Sequence, residues 1–464
     1  MKDLNIEEET NMLNMMKGYY FKGDTKNVEF RIGQLKKLKQ LIVKNEDKII
    51  EALRQDLGRH KFESYAAEVG SVLSSISFIV KHLRKWLKAK KVKTPIHQFG
   101  AKSYIKPEPY GVVLIIGPFN YPFSLCIEPM IGAIAAGNCV VIKPSEQTPR
   151  VSKVIKDLIE ENFSKEYLQV IEGGKEEITR LIHLPFDYIF FTGSVPVGKV
   201  IMEAASKNLI PVTLELGGKS PCIVDKDANI EVASERIVWG KFLNAGQTCI
   251  APDYLLVHES IKEKFINEFK NTIARFYGKE VSESKDFGRI VNEKHAKRLS
   301  VIIEADKEKV VFGGSYNIEE KYIEPTLIDG VTWEDECMRE EIFGPILPMM
   351  SFRDIDKAIT TINERSKPLA LYIFTENRYV QNKVLEGTSS GGSCINDTIS
   401  HVASHYLPFG GVGHAGMGAY HGEASFTTFS HMKSVLNKST KIKMKMIFPP
   451  YSDSSLNMIK KIMK

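Results

Sequence analysis

Residues Lys241 to Tyr254 read Lys-Phe-Leu-Asn-Ala-Gly-Gln-Thr-Cys-Ile-Ala-Pro-Asp-Tyr. An apolar, helix-like segment from Ala233 to Phe242 ends in Asn-Ala-Gly, and the loop after it presents Cys249 among small residues. Gly246 permits tight or positive-φ backbone there, and Pro252 bars a regular continuation. A thiol on such a turn, open to substrate with little bulk around it, suits nucleophilic attack. A lone cysteine is equally a small buried hydrophobe, the commoner fate of this residue type.

Two glycine-rich stretches could cradle phosphate. Gly411-Val412-Gly413-His414-Ala415-Gly416 has the Gly-x-Gly-x-x-Gly spacing without its setting. Tyr406-Leu407-Pro408-Phe409 precedes it in place of a buried strand, and no amphipathic helix of normal length follows. The position about 20 residues on, near Leu436, holds no acid. It reads as a flexible loop. The stretch from Phe190 to Gly198 instead leaves a strand through Gly193-Ser194 and enters a helix, with Pro196 in the first turn where proline is tolerated. Free backbone N–H groups and the positive end of the helix dipole would face a pyrophosphate there. His401 and His405 stand four apart, but Ser, Thr and Asn surround them and no Glu lies between, so a loop is expected and no metal site.

These groups need a scaffold. At 464 residues the chain exceeds one ordinary domain, and 43% apolar with 26% charged residues is the composition of a globular protein. The net charge of +6 is uneven: seven lysines and only Asp453 among the acids lie from Lys438 onward, so the rest of the chain is close to neutral. A basic tail without a basic face speaks against a nucleic-acid partner. The six cysteines show no Cys-x-x-Cys pair, which speaks against a disulfide framework or a cysteine-rich zinc site. The acidic first residues lack a signal-peptide core, and no apolar run approaches the roughly 18 residues of a membrane span. A reduced, cytoplasmic setting is expected.

Periodicity predicts helices from residue 6 to about 88, including a long one from Glu63 to Leu87. A polar, exposed ribbon follows from Thr94 to Tyr110. Buried strands are then expected at 112–116, 139–142, 167–171, 188–191 and 212–216, separated by helices, which predicts a doubly wound parallel sheet. A second α/β run begins near Pro221, takes in the thiol and strand 255–257, and reaches about Asn396. Beyond it a glycine-rich stretch, a strand pair and the lysine tail are expected. The fold class is therefore α/β, with two doubly wound lobes and a small β element.

Seven segments carry a further signal: Gly117-Pro118-Phe119-Asn120-Tyr121-Pro122, Lys143-Pro144-Ser145-Glu146, Phe191-Thr192-Gly193-Ser194, Glu215-Leu216-Gly217-Gly218-Lys219, Gly246-Gln247-Thr248-Cys249, Glu341-Ile342-Phe343-Gly344-Pro345 and Pro408-Phe409-Gly410-Gly411-Val412-Gly413. In kind and order they resemble the aldehyde dehydrogenase superfamily, most closely its class 3 branch, over nearly the whole chain. The resemblance implies a dinucleotide-binding domain (1–90 and 110–215), a catalytic domain (216–396), a bridging and oligomerisation element (91–109 and 397–440) and a basic C-terminal tail (441–464).

It also implies residue roles. Cys249 would attack an aldehyde carbon, and its thiol needs a lowered pKa or a nearby base to do so. Asn120 would offer its side-chain amide to the oxyanion together with the Cys249 backbone N–H, a donor typically worth about 3 kcal/mol. Glu215 would be the general base that hydrolyses the thioester; otherwise it pairs with Lys219. Lys143 and Glu146 would hold the adenosine ribose, Gly193, Ser194 and Gly198 the pyrophosphate turn, and Glu341 and Phe343 the nicotinamide end. The acid at 146 favours NAD over NADP, with NADP possible. The implied activity is NAD(P)-dependent oxidation of medium or long aliphatic, or aromatic, aldehydes by a homodimer. A CoA-acylating dehydrogenase or an acyl reductase would not need Glu215, and a non-enzymatic binding protein would not need the Asn120–Glu215–Cys249 set. One departure stands out. After Gly413 the chain reads His414-Ala415-Gly416, where the family pattern has a small or acidic residue and then Ser-Gly; if this loop lines the substrate entrance, His414 bears on aldehyde preference. The tail could also lie on anionic lipid as a peripheral contact.

Overall fold

The run Val112-Val113-Leu114-Ile115-Ile116 has no polar face, and the strand Val112–Ile116 is buried at every position in the computed structural model, which describes residues 6–442, 444 and 447–463. A strand apolar on both faces must be covered on both. Helix Ser124–Ala136, buried along nearly its whole length, and helix Ile6–Lys22 help to do this, and helix Val28–Lys44 packs on Ser124–Ala136.

Val112–Ile116 lies inside a six-stranded sheet, in the order Gly416–Met417, Val212–Leu216, Tyr188–Gly193, Val112–Ile116, Cys139–Lys143 and Leu168–Val170. All pairs are parallel except that of Gly416–Met417. The chain builds outward from Val112–Ile116 to residue 170, then returns to the other side with Tyr188–Gly193. The strand order therefore reverses between Val112–Ile116 and Tyr188–Gly193, and ligands of open α/β sheets bind at the carboxyl ends beside such a point. Gly117–Asn120 and Gly193–Ser194 leave the sheet there.

The second sheet has seven strands, ordered Val310–Phe312, Thr326–Asp329, Ile346–Phe352, Tyr254–His258, Pro221–Val224, Ala370–Phe374 and Gly392–Ile395. Only the Val310–Phe312 edge runs antiparallel. The α/β class with two doubly wound sheets is thus observed. The ribbon expected over 94–110 is a strand, Ala101–Pro109, paired with Lys90–Val92 on one side and Ser430–Lys438 on the other.

Three expectations need correction. The helix expected from Glu63 to Leu87 is a short turn, Lys61–Ser64, then a π-helical turn, Tyr65–Val69, and helix Gly70–Trp86. The widened turn brings Glu68 inward to pair with buried Arg59 and to accept from Phe123 N and Ser124 N at 2.8 Å each, at the start of helix Ser124–Ala136. The Gly411–Gly416 stretch is no flexible loop: a Cβ on Gly411 would stand 2.0 Å from Ala415 O, and one on Gly416 2.0 Å from Leu214 O. Nor does all of 397–440 stay with the three-stranded sheet. Gly416–Met417 pairs with the strand that carries Glu215, and helix Glu423–Thr428 packs on Ser124–Ala136, where Gly132 makes room for Ser425. Lys443, Lys445, Met446 and Lys464 of the tail, and Met1 to Asn5, lie outside the described residues.

Candidate active site

Helix Ile230–Phe242 starts at Asn229, whose side chain accepts from Val232 N at 3.2 Å. It ends in a turn with three successive positive φ values, Asn244 (53°), Ala245 (51°) and Gly246 (76°). That geometry is unfavourable for a residue with a Cβ and persists only where surroundings enforce it. Here they do. Asn244 N donates to Glu63 Oε1 at 2.9 Å, and Asn244 Nδ2 to Asn120 O at 2.8 Å. Gln247 Nε2 donates to Arg289 O at 3.0 Å while its Oε1 accepts from Val291 N at 2.9 Å. Gly246 is required outright, since a Cβ would meet Gly344 O at 2.3 Å. Tyr121 Oη and Thr248 Oγ1 share a 2.7 Å hydrogen bond on the far side.

The turn delivers Cys249, half-buried, to a cavity of about 1210 Å³ that Glu215 and Thr192 also line. Glu215 and Thr192 are register partners on adjacent strands, so both side chains point to the same face. Glu215 is 3% exposed and neither of its carboxylate oxygens has a protein partner. Burial alone raises its pKa well above the ordinary value. The ion pair considered for it goes elsewhere: Lys219 pairs with Asp253, and Asp253 Oδ1 accepts from Ile342 N at 2.9 Å. The Cys249 thiol is also pushed up, by burial first and then by the Glu341 and Glu215 carboxylates, although the N–H groups of Cys249 and Ile250 oppose this. Of the two routes open to the thiol, a lowered pKa is thus absent. The unpartnered Glu215 carboxylate lies within the same cavity.

Asn120 is 2% exposed and borders the turn that carries the thiol. Its Nδ2 donates to Gln247 O at 3.0 Å, two residues before the thiol. Glu341 occupies the space a side chain at Gly217 would fill: a Cβ there would lie 2.0 Å from Glu341 Oε2. Burial, then Asp253, raises the Glu341 carboxyl to about 8, against the pull of Lys219 and Lys241. Phe343 has φ 48° and meets Phe119 edge-on at 5.7 Å.

The remaining residues expected at a cofactor lie at the carboxyl end of the first sheet, away from the thiol cavity. Lys143 is 1% exposed; its Nζ donates to Pro144 O at 2.6 Å and stands 3.6 Å from Glu146, which is exposed. Burial holds its pKa below the ordinary lysine value, against the pull of Glu146. Helix Val195–Ser206 begins at Ser194 without a side-chain cap, so its first N–H groups are not met by that side chain. A nicotinamide dinucleotide fits this set: N–H donors at an open helix start, an ammonium beside a carboxylate, and Glu341 held in place by Gly217. Gly198 lies one turn further into the same helix. Its N–H already donates to Ser194 O at 2.9 Å, and its missing Cβ makes room for Leu216 Cδ2, which would lie 2.7 Å away. It serves helix–strand packing. His414 bonds Ser366 through Nδ1 at 2.9 Å and does not line the thiol cavity. His401 contacts Cys394, and His405 contacts Ser74 at 2.9 Å.

The cavity also holds Thr192, Glu128 and Tyr420, to which the sequence reading gave no role. Thr192 stood inside a quoted motif, one residue before Gly193, and the alternation of a strand would have aimed it with Glu215. Nothing in the local sequence around Tyr420 points to the thiol.

A reversed-order parallel sheet facing a second lobe that presents a thiol beside a buried, unpartnered carboxylate defines a two-lobed nicotinamide-dependent oxidoreductase. The chain belongs to the aldehyde dehydrogenase family, whose model it matches over residues 24–435. It is 55% identical over 435 residues to the 4,4'-diaponeurosporen-aldehyde dehydrogenase of Staphylococcus aureus, covering 94% of this chain and 95% of that protein. It is 46% identical over 430 residues to the dimeric NADP-preferring aldehyde dehydrogenase of Mus musculus, covering 93% and 94%. The solved substrate-bound state of Staphylococcus aureus AldH superposes with a TM-score of 0.97 at 53% identity, covering 99% of this chain and all of that one. The protein is accordingly an NAD(P)-dependent aldehyde dehydrogenase.

Proposed function

We propose that aldehydes are oxidised to carboxylic acids through a covalent adduct on Cys249 and that Glu215 activates the water that releases the acid. The observation that carries this reading is the shared cavity of Cys249 and Glu215, in which both Glu215 oxygens are free of protein partners. Glu215 draws the thiol proton, directly or through one water, and the sulfur attacks the carbonyl carbon. The oxyanion of the thiohemiacetal meets the Cys249 N–H and the Asn120 amide, donors fixed before reaction by the Gln247 turn. The bound nicotinamide supplies the hydride acceptor, and loss of hydride leaves a thioester on Cys249. Once that first proton has passed to solvent, Glu215 takes a proton from the water that attacks the thioester. The tetrahedral intermediate expels the Cys249 thiolate and frees the acid, and burial keeps the carboxylate basic enough for the task.

Lys143 and Glu146 would hold the adenosine ribose, Gly193 and Ser194 the pyrophosphate, and Glu341 with Phe343 the nicotinamide end. NAD is the preferred cofactor on this reading, because the Glu146 carboxylate repels a 2′-phosphate. The cavity walls include Leu125, Trp239, Ile250, Phe276 and Phe409, so the substrates are medium or long aliphatic aldehydes, or aromatic ones. The name of the Staphylococcus aureus relative is in keeping with that. The reading includes a cytoplasmic homodimer, bridged by the three-stranded sheet with its open edges.

NADH release over aldehydes of increasing chain length, with and without CoA, tests this function. CoA-independent turnover that improves with chain length is expected; dependence on CoA would replace hydrolysis by acyl transfer. For the tail, helix Asp453–Ile462 exposes Leu456 and Met458 together with Lys460 and Lys461. Sedimentation with anionic vesicles, compared with a 1–437 truncation, tests lipid contact, and equal binding would dismiss it. No described helix is long and apolar enough to cross a membrane.

A further inference from the structure

Residues 59–68, between helices Glu46–Leu57 and Gly70–Trp86, reach both loops of the reaction site. Arg59 is fully buried and pairs with Glu68. Its guanidinium also lies over the Tyr121 ring, 5.1 Å from the centroid. Glu68 Oε2 accepts from Phe123 N and Ser124 N, so this pair fixes the chain just after Asn120. Tyr121 Oη in turn bonds Thr248 Oγ1, one residue before the thiol. Glu63 reaches the same turn from its other end, where its Oε1 accepts from Asn244 N at 2.9 Å.

The π turn makes this reach possible. In an α-helix, residues five apart point about 140° away from each other. Here Gly70 N donates to Tyr65 O, an i→i+5 bond that widens the coil, and both Glu63 and Glu68 act on the Arg59 charge. Glu63 is the exceptional member. Arg59 is matched by Glu68, and among the described residues Glu63 forms no ion pair of its own. It lines the thiol cavity half-buried, and burial raises its carboxyl to about 7 against the pull of Arg59 and the Asn244 N–H. A leucine would fill the place without that desolvation, and a carboxylate kept beside a reacting group despite it marks a functional contact.

We propose that Glu63 is a positioning residue for the reaction: by accepting the Asn244 N–H it holds the positive-φ turn in the arrangement that aims Cys249 at a bound carbonyl. The Arg59–Glu68 pair does the same for the chain that follows Asn120, so thiol and amide are set against one common anchor. Reacting atoms displaced by about 1 Å lose roughly a hundredfold in rate, so such an anchor acts on turnover more than on binding. This inference rests on Cys249 being the nucleophile.

The test measures kcat, and KM for hexanal and for NAD, in the wild type, Glu63→Gln and Glu63→Leu, beside thermal melts. Glutamine keeps an acceptor oxygen for Asn244 N and should hold kcat within about threefold. Leucine removes it, and kcat should fall roughly ten- to a hundredfold while both KM values stay within about threefold. If Glu63→Leu melts early, Glu63→Asp takes its place, since the shorter side chain does not reach Asn244 N. The same loss of kcat at the wild-type melting temperature is then expected; early melting of this variant too would make the contact one of stability alone and overturn the role. Equal kcat in all variants, or a loss that glutamine shares with leucine, would also overturn it. So would a raised KM at unchanged kcat, because Glu63 would then only line the substrate path. If the wild type oxidises no hexanal, or Cys249→Ala retains the activity, the reading of the thiol has itself failed. Wild-type turnover that the Glu63 variants leave unchanged removes only the positioning role.

Discussion

Asn120 donates through Nδ2 to the Gln247 carbonyl at 3.0 Å, and its own carbonyl accepts from Asn244 Nδ2 at 2.8 Å. The loop leaving the first sheet is thereby locked to the turn that carries the thiol, although it belongs to a different strand system. Asn120→Ala removes an oxyanion donor and one side of this lock. We expect kcat/KM to fall by about 10²–10³. A loss under about threefold would show that the amide serves only the turn.

Glu215 is held toward its protonated form by burial, so its base form disappears as pH falls through that raised pKa. Below it the carboxyl cannot take a proton from water. Hydrolysis of a preformed thioester should therefore slow with falling pH, and Glu215→Gln should be slow and nearly flat, down by about 10²–10⁴. Single-turnover acid release against pH checks this; a slope that persists in the variant would assign it to another group.

Gly217 leaves room for the Glu341 carboxylate, which a Cβ would meet at 2.0 Å. Because the obstacle is the end of a flexible side chain, Gly217→Ala should fold and displace Glu341. Weaker NAD binding at an unchanged melting temperature is the expected result, read by titration calorimetry and thermal melts. Unaltered affinity would mean that Glu341 does not touch the cofactor.

Glu146 is exposed and 3.6 Å from Lys143 Nζ. Glu146→Ser removes the charge that opposes a 2′-phosphate and frees the lysine. The ratio of kcat/KM for NADP to that for NAD should rise about tenfold, in line with roughly 1.4 kcal/mol of relieved repulsion. No change in the ratio would place the adenosine ribose elsewhere.

Glu128 is buried against Ser75, and its carboxyl is pushed up to about 7 by that burial. The folded chain thus holds a proton that the unfolded chain releases near pH 4.5. Its stabilising contribution is full below that pH and is lost as pH rises through about 7. The stability of Glu128→Gln relative to wild type should climb across this window, by on the order of 3 kcal/mol at the top. Parallel stability curves would show the carboxyl to be solvated.

Much of this was legible in the residues. Val112–Ile116 and Cys139–Lys143 announce themselves as continuous apolar runs, because a strand covered on both faces admits no polar position. Cys249 is legible for a different reason: positive-φ backbone needs Gly246, and a bulky neighbour would close the cavity. What escaped depends on contacts distant in sequence. The π turn at Tyr65–Val69 exists because Glu68 turns toward Arg59 and helix Ser124–Ala136, and helical periodicity carries no record of that. Gly198 resembles a phosphate-loop glycine in spacing, and its packing against Leu216 is visible only in the fold. Gly416 sits in a decoy fingerprint, yet the Leu214 carbonyl dictates it.

The central claim is a covalent acyl group on one sulfur, and mass spectrometry of a stalled enzyme tests it most directly. Glu215→Gln, incubated with hexanal and NAD long enough to acylate slowly without its base, should release one equivalent of NADH per active site and gain the mass of a hexanoyl group on the peptide containing Cys249. An NADH burst without that adduct, an adduct on another residue, or undiminished turnover by Cys249→Ala would contradict the account.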